Sequence, residues 1–100
     1  MMICINMIHI SPWACTLALF AIAQHCLKTS GLLMTYGPYR VGGEMVESNH
    51  QFDASLKGRN SEWGIRDKEA VEDAARSHGL VLEEACQMPS NNLCLFFRKL

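Results

Sequence analysis

Residues 1–26, MMICINMIHISPWACTLALFAIAQHC, contain no Asp, Glu, Lys or Arg. Their reading decides the fold. A secretion signal places a basic segment before an apolar run of about 7–15 residues and ends on a small-x-small site. Ala14–Ala23 is apolar and Ala21-Ile22-Ala23 imitates the cleavage site, but no Lys or Arg precedes them. Pro12-Trp13 stands where the basic residues belong. A membrane helix needs about 20 continuous apolar residues, and Asn6, His9, Ser11 and Pro12 interrupt this stretch. The remaining reading is strand, turn and helix.

On that reading Ile3–Ile10 is a buried parallel strand, dense in Ile on both faces. Ser11 is the expected helix cap and Pro12 the first helical residue, where its missing N–H goes unused. The helix is expected from Pro12 to Lys28, with Gly31 ending the unit. Gly31–Tyr36 is the next apolar strand, broken by Gly37-Pro38. Strand, helix and strand within residues 1–37 make a βαβ unit with parallel strands.

Residues 38–66 differ in character. They combine Gly42-Gly43, polar residues and the isolated aromatics Phe52 and Trp63, with one short helix expected near Asn49–Lys57. A connection this long reads as a lid or binding loop. Within 67–100, Asp67 is expected to cap a helix over Lys68–His78 whose apolar side holds Ala70, Val71, Ala74 and Ala75. Glu72 and Arg76 form an outward i,i+4 pair. Leu80–Met88 and Leu93–Lys99 read as an antiparallel hairpin about the turn Pro89-Ser90-Asn91-Asn92.

The order is thus β-α-β-lid-α-β-β, the second half of an open α/β sheet finished with a reversed edge strand. Such a half leaves its first strand with an uncovered edge, which favours oligomerisation. Ligands of open α/β sheets sit at the carboxyl ends of the strands. One hundred residues allow a single domain. All nine basic and ten acidic residues lie from Lys28 onward, and the net charge of −1 gives no electrostatic case for nucleic acid or an anionic membrane. Cys4, Cys15, Cys26, Cys86 and Cys94 are odd in number and lack CxxC spacing. They read as small hydrophobes of a reducing compartment, not as a metal or disulfide framework.

Four blocks, CINMIHISPW, GLLMTYGPYR, SNHQFDASLKGRNSEWGIRD and MPSNNLCLFFRK, run through the chain in this order. Together they resemble the methyltransferase-like protein 26 family of S-adenosylmethionine-dependent methyltransferase-like proteins. The third block is the most specific. The resemblance implies a Rossmann-like class I methyltransferase sheet of seven strands, with strands 4 to 7 supplied here and the last two forming a reversed hairpin. It also implies S-adenosylmethionine as cofactor, a small-molecule or protein methyl acceptor and a cytoplasmic or nuclear location. The family's first half carries a Gly-rich turn after strand 1 and an acidic residue after strand 2. Neither stretch occurs in these residues. Lys28-Thr29-Ser30-Gly31 also stands where the family has Lys-Pro-Gly-Gly. The chain therefore reads as an N-terminally shortened product, an alternative isoform or partial gene model, with little or no activity of its own. A non-catalytic product acting through another chain is the main alternative, and a secreted domain cleaved after Ala23 the weaker one.

Methyl transfer asks the protein mainly to position a nucleophile and exclude water. Asn6 and His9 are expected to close the first strand. The resemblance takes this segment, Asn6 and Met7 included, past the cofactor's methyl group and makes His9 and Tyr36 the catalytic candidates. A neutral histidine can take a proton or orient a substrate; its plainer role is to hold the turn before Pro12. Tyr36 closes the second strand, with packing the competing role. The substrate-binding set is Asn49, Phe52 and Arg66 from the lid and Asn91 and Asn92 from the hairpin turn. Arg66 suits an anionic group through paired N–H donors; its alternative is an ion pair that pins the lid. Phe52 and Trp63 read first as lid anchors, and asparagines are common in turns for backbone reasons. No residue is assigned to a metal.

Overall fold

The computed structural model describes all 100 residues. Strand β1 (Met2–Ile5), helix α1 (Trp13–Cys26), β2 (Leu32–Pro38), α2 (Glu47–Arg59), α3 (Lys68–Ser77), β3 (Leu80–Met88) and β4 (Asn92–Lys99) follow in chain order. The strands form one sheet in the order β1-β2-β4-β3. β1 pairs parallel with β2, from Met2↔Leu33 to Ile5↔Tyr36. β4 pairs antiparallel with both β2 and β3, so it alone runs against the rest. The expected reversed edge strand is therefore an inner one, and β3 forms the edge. Cys94, Leu95 and Phe97, all buried, explain why β4 lies inside.

One face of the sheet carries the core. Leu33, Leu95 and Phe97 meet Phe20 and Ala23 of α1 and Val71, Ala74 and Ala75 of α3. Phe20 stands edge-on to Phe97 with ring centroids 5.3 Å apart, a geometry aromatic quadrupoles favour. α3 is the regular amphipathic helix its sequence indicates, with Glu72 and Arg76 paired at 3.3 Å on its outer side. α1 is uncharged, yet it buries only the stripe Thr16, Phe20 and Ala23. No helix is long and apolar enough to cross a membrane. All five cysteines are free thiols.

The first strand is shorter than its Ile pattern indicates. Asn6 adopts φ 54°, a left-handed conformation that Asn tolerates better than branched residues. This switch ends β1 at Ile5, and a 3-10 turn over Ile8–Ile10 follows. His9 thus sits in that turn and not at a strand end. Ile3 and Ile5, read as buried, are each 57% exposed because they point to the sheet face opposite the one that Met2 and Leu33 present to the core. Ser11 is not the cap of α1: its hydroxyl donates to the Met7 carbonyl at 2.8 Å, and Pro12 takes the cap position.

Two further boundaries moved. β2 runs through Gly37-Pro38, because Pro38 occupies the last rung opposite Asn92. A side chain at Gly37 would place its Cβ 3.2 Å from the His9 ring, so this strand position is glycine by contact. Asp67 precedes α3 but its carboxylate makes no cap bond; it accepts from Arg40 Nη1 at 3.3 Å instead. The lid contains a longer helix than expected, α2, whose buried stripe is Asn49, Asp53 and Leu56.

Phe97 is fully buried between α1 and its neighbouring strands. Phe97→Ala is expected to destabilise the chain by about 3–5 kcal/mol, read by urea denaturation. A loss well under 1 kcal/mol would place the core elsewhere.

Candidate functional site

β1 and β2 end side by side, and β4 begins there. The register Pro38↔Asn92 sets the tip of the β3–β4 hairpin next to the carboxyl end of β2. Asn6 follows β1 directly, and its N–H donates to the Tyr36 carbonyl at 2.9 Å. The hairpin tip turns through Ser90 and Asn91, both left-handed at φ 63° and 59°. α2 closes the third side. The result is an open cleft of about 500 Å³ at the strand carboxyl ends.

Six of the nine candidate residues meet in this cleft: Asn6, His9, Asn49, Phe52, Asn91 and Asn92. They come from three separate stretches of the chain. His9 is only 3% exposed and its ring meets Phe52 edge-on, centroids 5.7 Å apart. Burial pushes its imidazole below the ordinary histidine range, which keeps it neutral at pH 7. The His9 carbonyl accepts from Gly64 N–H at 3.1 Å, which ties the 3-10 turn to the end of the lid.

Three candidates lie elsewhere. Tyr36 does not line the cleft; its hydroxyl accepts from Asn92 Nδ2 at 3.2 Å and so steadies a residue that does. Met7 packs against the core, with the Ser11 hydroxyl 3.1 Å from its sulfur. Arg66 neither clamps the cleft nor pairs with a carboxylate. Its Nη2 donates to the Ser11 and Glu62 carbonyls at 2.9 and 2.7 Å, and its guanidinium lies 5.7 Å over the Trp13 ring. Burial lowers its pKa, partly offset by the Asp53 charge. It staples the lid to the start of α1 and lines a separate cleft beside Trp13.

Asp53 is the residue that sequence reasoning missed. Its Oδ1 accepts from Ile65 N–H at 2.8 Å, and Lys57 Nζ lies 2.8 Å from Oδ2. Burial alone would raise this carboxyl. The hydrogen bonds from Lys57 and Ile65 outweigh it and hold the group below the usual carboxylate range. Asp53 thereby fixes α2, and with it Asn49 and Phe52, against the returning lid. The signal was present as Asn49, Asp53 and Leu56, spaced i, i+4, i+7.

Sheet order, the single reversed strand and the cleft at the parallel ends define the C-terminal part of a class I methyltransferase fold. Human N-acetylserotonin methyltransferase in complex with SAM superposes with TM-score 0.84 at 12% identity, over 97% of this chain and 28% of that one. CalO1, a methyltransferase of calicheamicin biosynthesis in its SAH-bound form, gives 0.81 at 10% identity, over 98% and 29%. LepI in complex with SAM gives 0.83 at 13%, over 98% and 26%. The chain thus spans under a third of the length of the solved chains it matches. Residues 1–99 match the family described as "Protein of unknown function (DUF938)", and the chain belongs to that family.

Two outcomes follow from this geometry. Folded His9 holds its proton more weakly than unfolded His9, so the unfolded state binds more protons as pH falls below about 6.5. That contribution to stability is complete above pH 6.5 and is lost on acidification. Urea midpoints at pH 7.5 and 5.5 are expected to differ less in His9→Gln than in the parent; an equal difference contradicts a buried neutral His9. Asp53→Ala leaves the Ile65 N–H without its acceptor, a cost of about 1–3 kcal/mol. Hydrogen exchange at the Ile65 amide is expected to accelerate with it, and an unchanged rate contradicts the anchor.

Proposed function

We propose that the cleft is the acceptor side of an S-adenosylmethionine-dependent methyl transfer site. The observation that carries this reading is the convergence of Asn6, His9, Asn49, Phe52, Asn91 and Asn92 at the carboxyl ends of β1 and β2. The resemblance to the methyltransferase-like protein 26 family, drawn from four sequence blocks, points the same way. The lining fits the reactive end of such a cofactor. It offers amide donors and acceptors and a neutral imidazole, and no Lys or Arg that would repel a sulfonium. S-adenosylmethionine, when bound, supplies an electrophilic methyl group on that sulfonium.

On this proposal the chain's own residues do three things. The Asn91 and Asn92 amides orient the acceptor by hydrogen bonds, with Asn92 itself held by Tyr36. His9, neutral and hydrogen-bond competent, takes the proton that the acceptor's attacking atom releases. Phe52 and the α2 wall exclude water from the reacting atoms. Asn6, which lines the same cleft, would help hold the cofactor's reactive end.

Residues 1–100 hold no Gly-rich strand-to-helix turn and none of the acidic anchors that the resemblance assigns to a methyltransferase's first half. These hundred residues alone are therefore proposed to bind S-adenosylmethionine only weakly and to turn over little. A second reading, in which they act with another polypeptide, draws on exposed Ile3 and Ile5 along the unpaired edge of β1. Calorimetric titration of the chain with S-adenosylmethionine tests the first reading. A dissociation constant weaker than about 100 μM is expected, about −5.5 kcal/mol or less favourable. Micromolar binding would overturn the argument from the absent anchors.

A further inference from the structure

A second cleft, of about 380 Å³, lies on the other side of Asn49, Asn91 and Asn92, which line both. Its walls are of a different kind. Val41, Met45, Val46 and Met88 line it, and Val41, Val46 and Met88 keep more than a third of their surface open to solvent. Large apolar side chains left open around a concavity mark a binding surface more often than isolated ones do. The wall carrying Val41 is a tight turn. Val41 and Glu44 exchange backbone hydrogen bonds of 3.0 and 3.1 Å across a two-residue turn of Gly42 and Gly43, both at positive φ.

The charges in this cleft are one-sided. Glu44 supplies the single carboxylate, and no Lys, Arg or His lines it. No cation lies within salt-bridge distance of Glu44. Tyr39 is also part of the lining, but burial raises its phenol well above the ordinary range, so it stays neutral. In the first cleft the one titratable side chain is the neutral His9. Arg66, the cation expected at the substrate, faces Trp13 and the Ser11 carbonyl. Across both clefts an anionic ligand therefore finds no cationic side chain and one repelling carboxylate, whereas an ammonium group finds Glu44.

We propose that the second cleft seats the apolar body of an amine-bearing small molecule, with Glu44 opposite its ammonium group. Resting on the methyl-transfer reading, this assigns the acceptor class as an amphipathic amine, whose reactive atom reaches past the Asn49–Asn91–Asn92 wall into the first cleft. Carboxylated and phosphorylated acceptors are disfavoured by the same carboxylate.

The test uses the intact chain without cofactor and two probes with the same apolar body, 1-naphthylmethylamine and 1-naphthoate. Binding is followed by saturation-transfer NMR and by titration at low salt. The amine is expected to bind about tenfold more tightly than the carboxylate. Glu44→Gln is expected to bring the two within about twofold of each other, while Met88→Ala weakens both about fivefold. Equal binding of the two probes, tighter binding of the carboxylate, no detectable binding of either, or amine binding indifferent to both substitutions would overturn the proposal. The probes need no cofactor, so such a failure leaves the methyl-transfer reading standing. That reading falls on the cofactor titration instead.

Discussion

β4 must pair with two strands at once, and the rest of the structure depends on this. Its antiparallel registers with β2 and β3 run from Leu32↔Arg98 to Pro38↔Asn92 and from Leu80↔Lys99 to Met88↔Asn92. Leu95 and Phe97 thereby enter the core beneath α1 and α3. The same registers bring the hairpin tip to the carboxyl end of β2, where the parallel strands stop. Were β4 on the outer edge, Asn91 and Asn92 would lie a strand further from Asn6 and His9. Packing on one face of the sheet and the assembly of the cleft thus share one cause. At the other end of β4, Lys99 donates to the Leu27 carbonyl at 2.7 Å and Arg98 to the Ser30 carbonyl at 2.7 Å, so its close is tied to the α1–β2 connection.

The cleft relies on a second arrangement that is local and polar. Asn6 turns the chain out of β1 in a left-handed conformation, and the following 3-10 turn carries His9 inward against Gly37 and Phe52. α2 is held in reach by Asp53, which is bonded to Ile65 and Lys57. Arg66 then ties the lid's return to Ser11 at the head of α1. Buried Ile8, Leu56 and Ile65 back this part, and the hydrogen bonds of Asp53 and Arg66 set its alignment. That is consistent with a binding region set on a firmer sheet-and-helix scaffold.

Much of the scaffold was legible in the sequence because its physics is periodic. β3 begins and ends where expected, and α3 ends one residue early. Both have clear patterns, and Gly79 marks the joint between them. The misreadings cluster where a polar residue overrides a pattern. Ile8 and Ile10 extend the Ile-rich run of Ile3 and Ile5 onto the other strand face, and nothing in the pattern announces that Asn6 flips the backbone. The core side of α2 is built on Asn49 and Asp53, so its length was hidden from a search for apolar spacing. Arg66 reads as an anion clamp in isolation; only the fold shows Trp13 and the Ser11 carbonyl already holding it. The resemblance sets Tyr36 and Met7 near the chemistry; in the fold Tyr36 bonds to Asn92 behind the cleft and Met7 packs on the core. The convergence of the other six rested on resemblance more than on any spacing, since they lie up to 86 positions apart, from Asn6 to Asn92.

On the methyl-transfer proposal, the reactive end of S-adenosylmethionine meets this chain at the Asn6–His9–Asn92 cleft. Amide and side-chain NMR shifts of the isotope-labelled chain, titrated with S-adenosylmethionine to millimolar concentration, test it most directly, because weak binding still marks its location. Shifts are predicted at Asn6, His9, Asn91 and Asn92, with the Trp13–Arg66 cleft silent. Shifts centred on Trp13, Arg40 and Arg66, or a spectrum unchanged throughout, would contradict it.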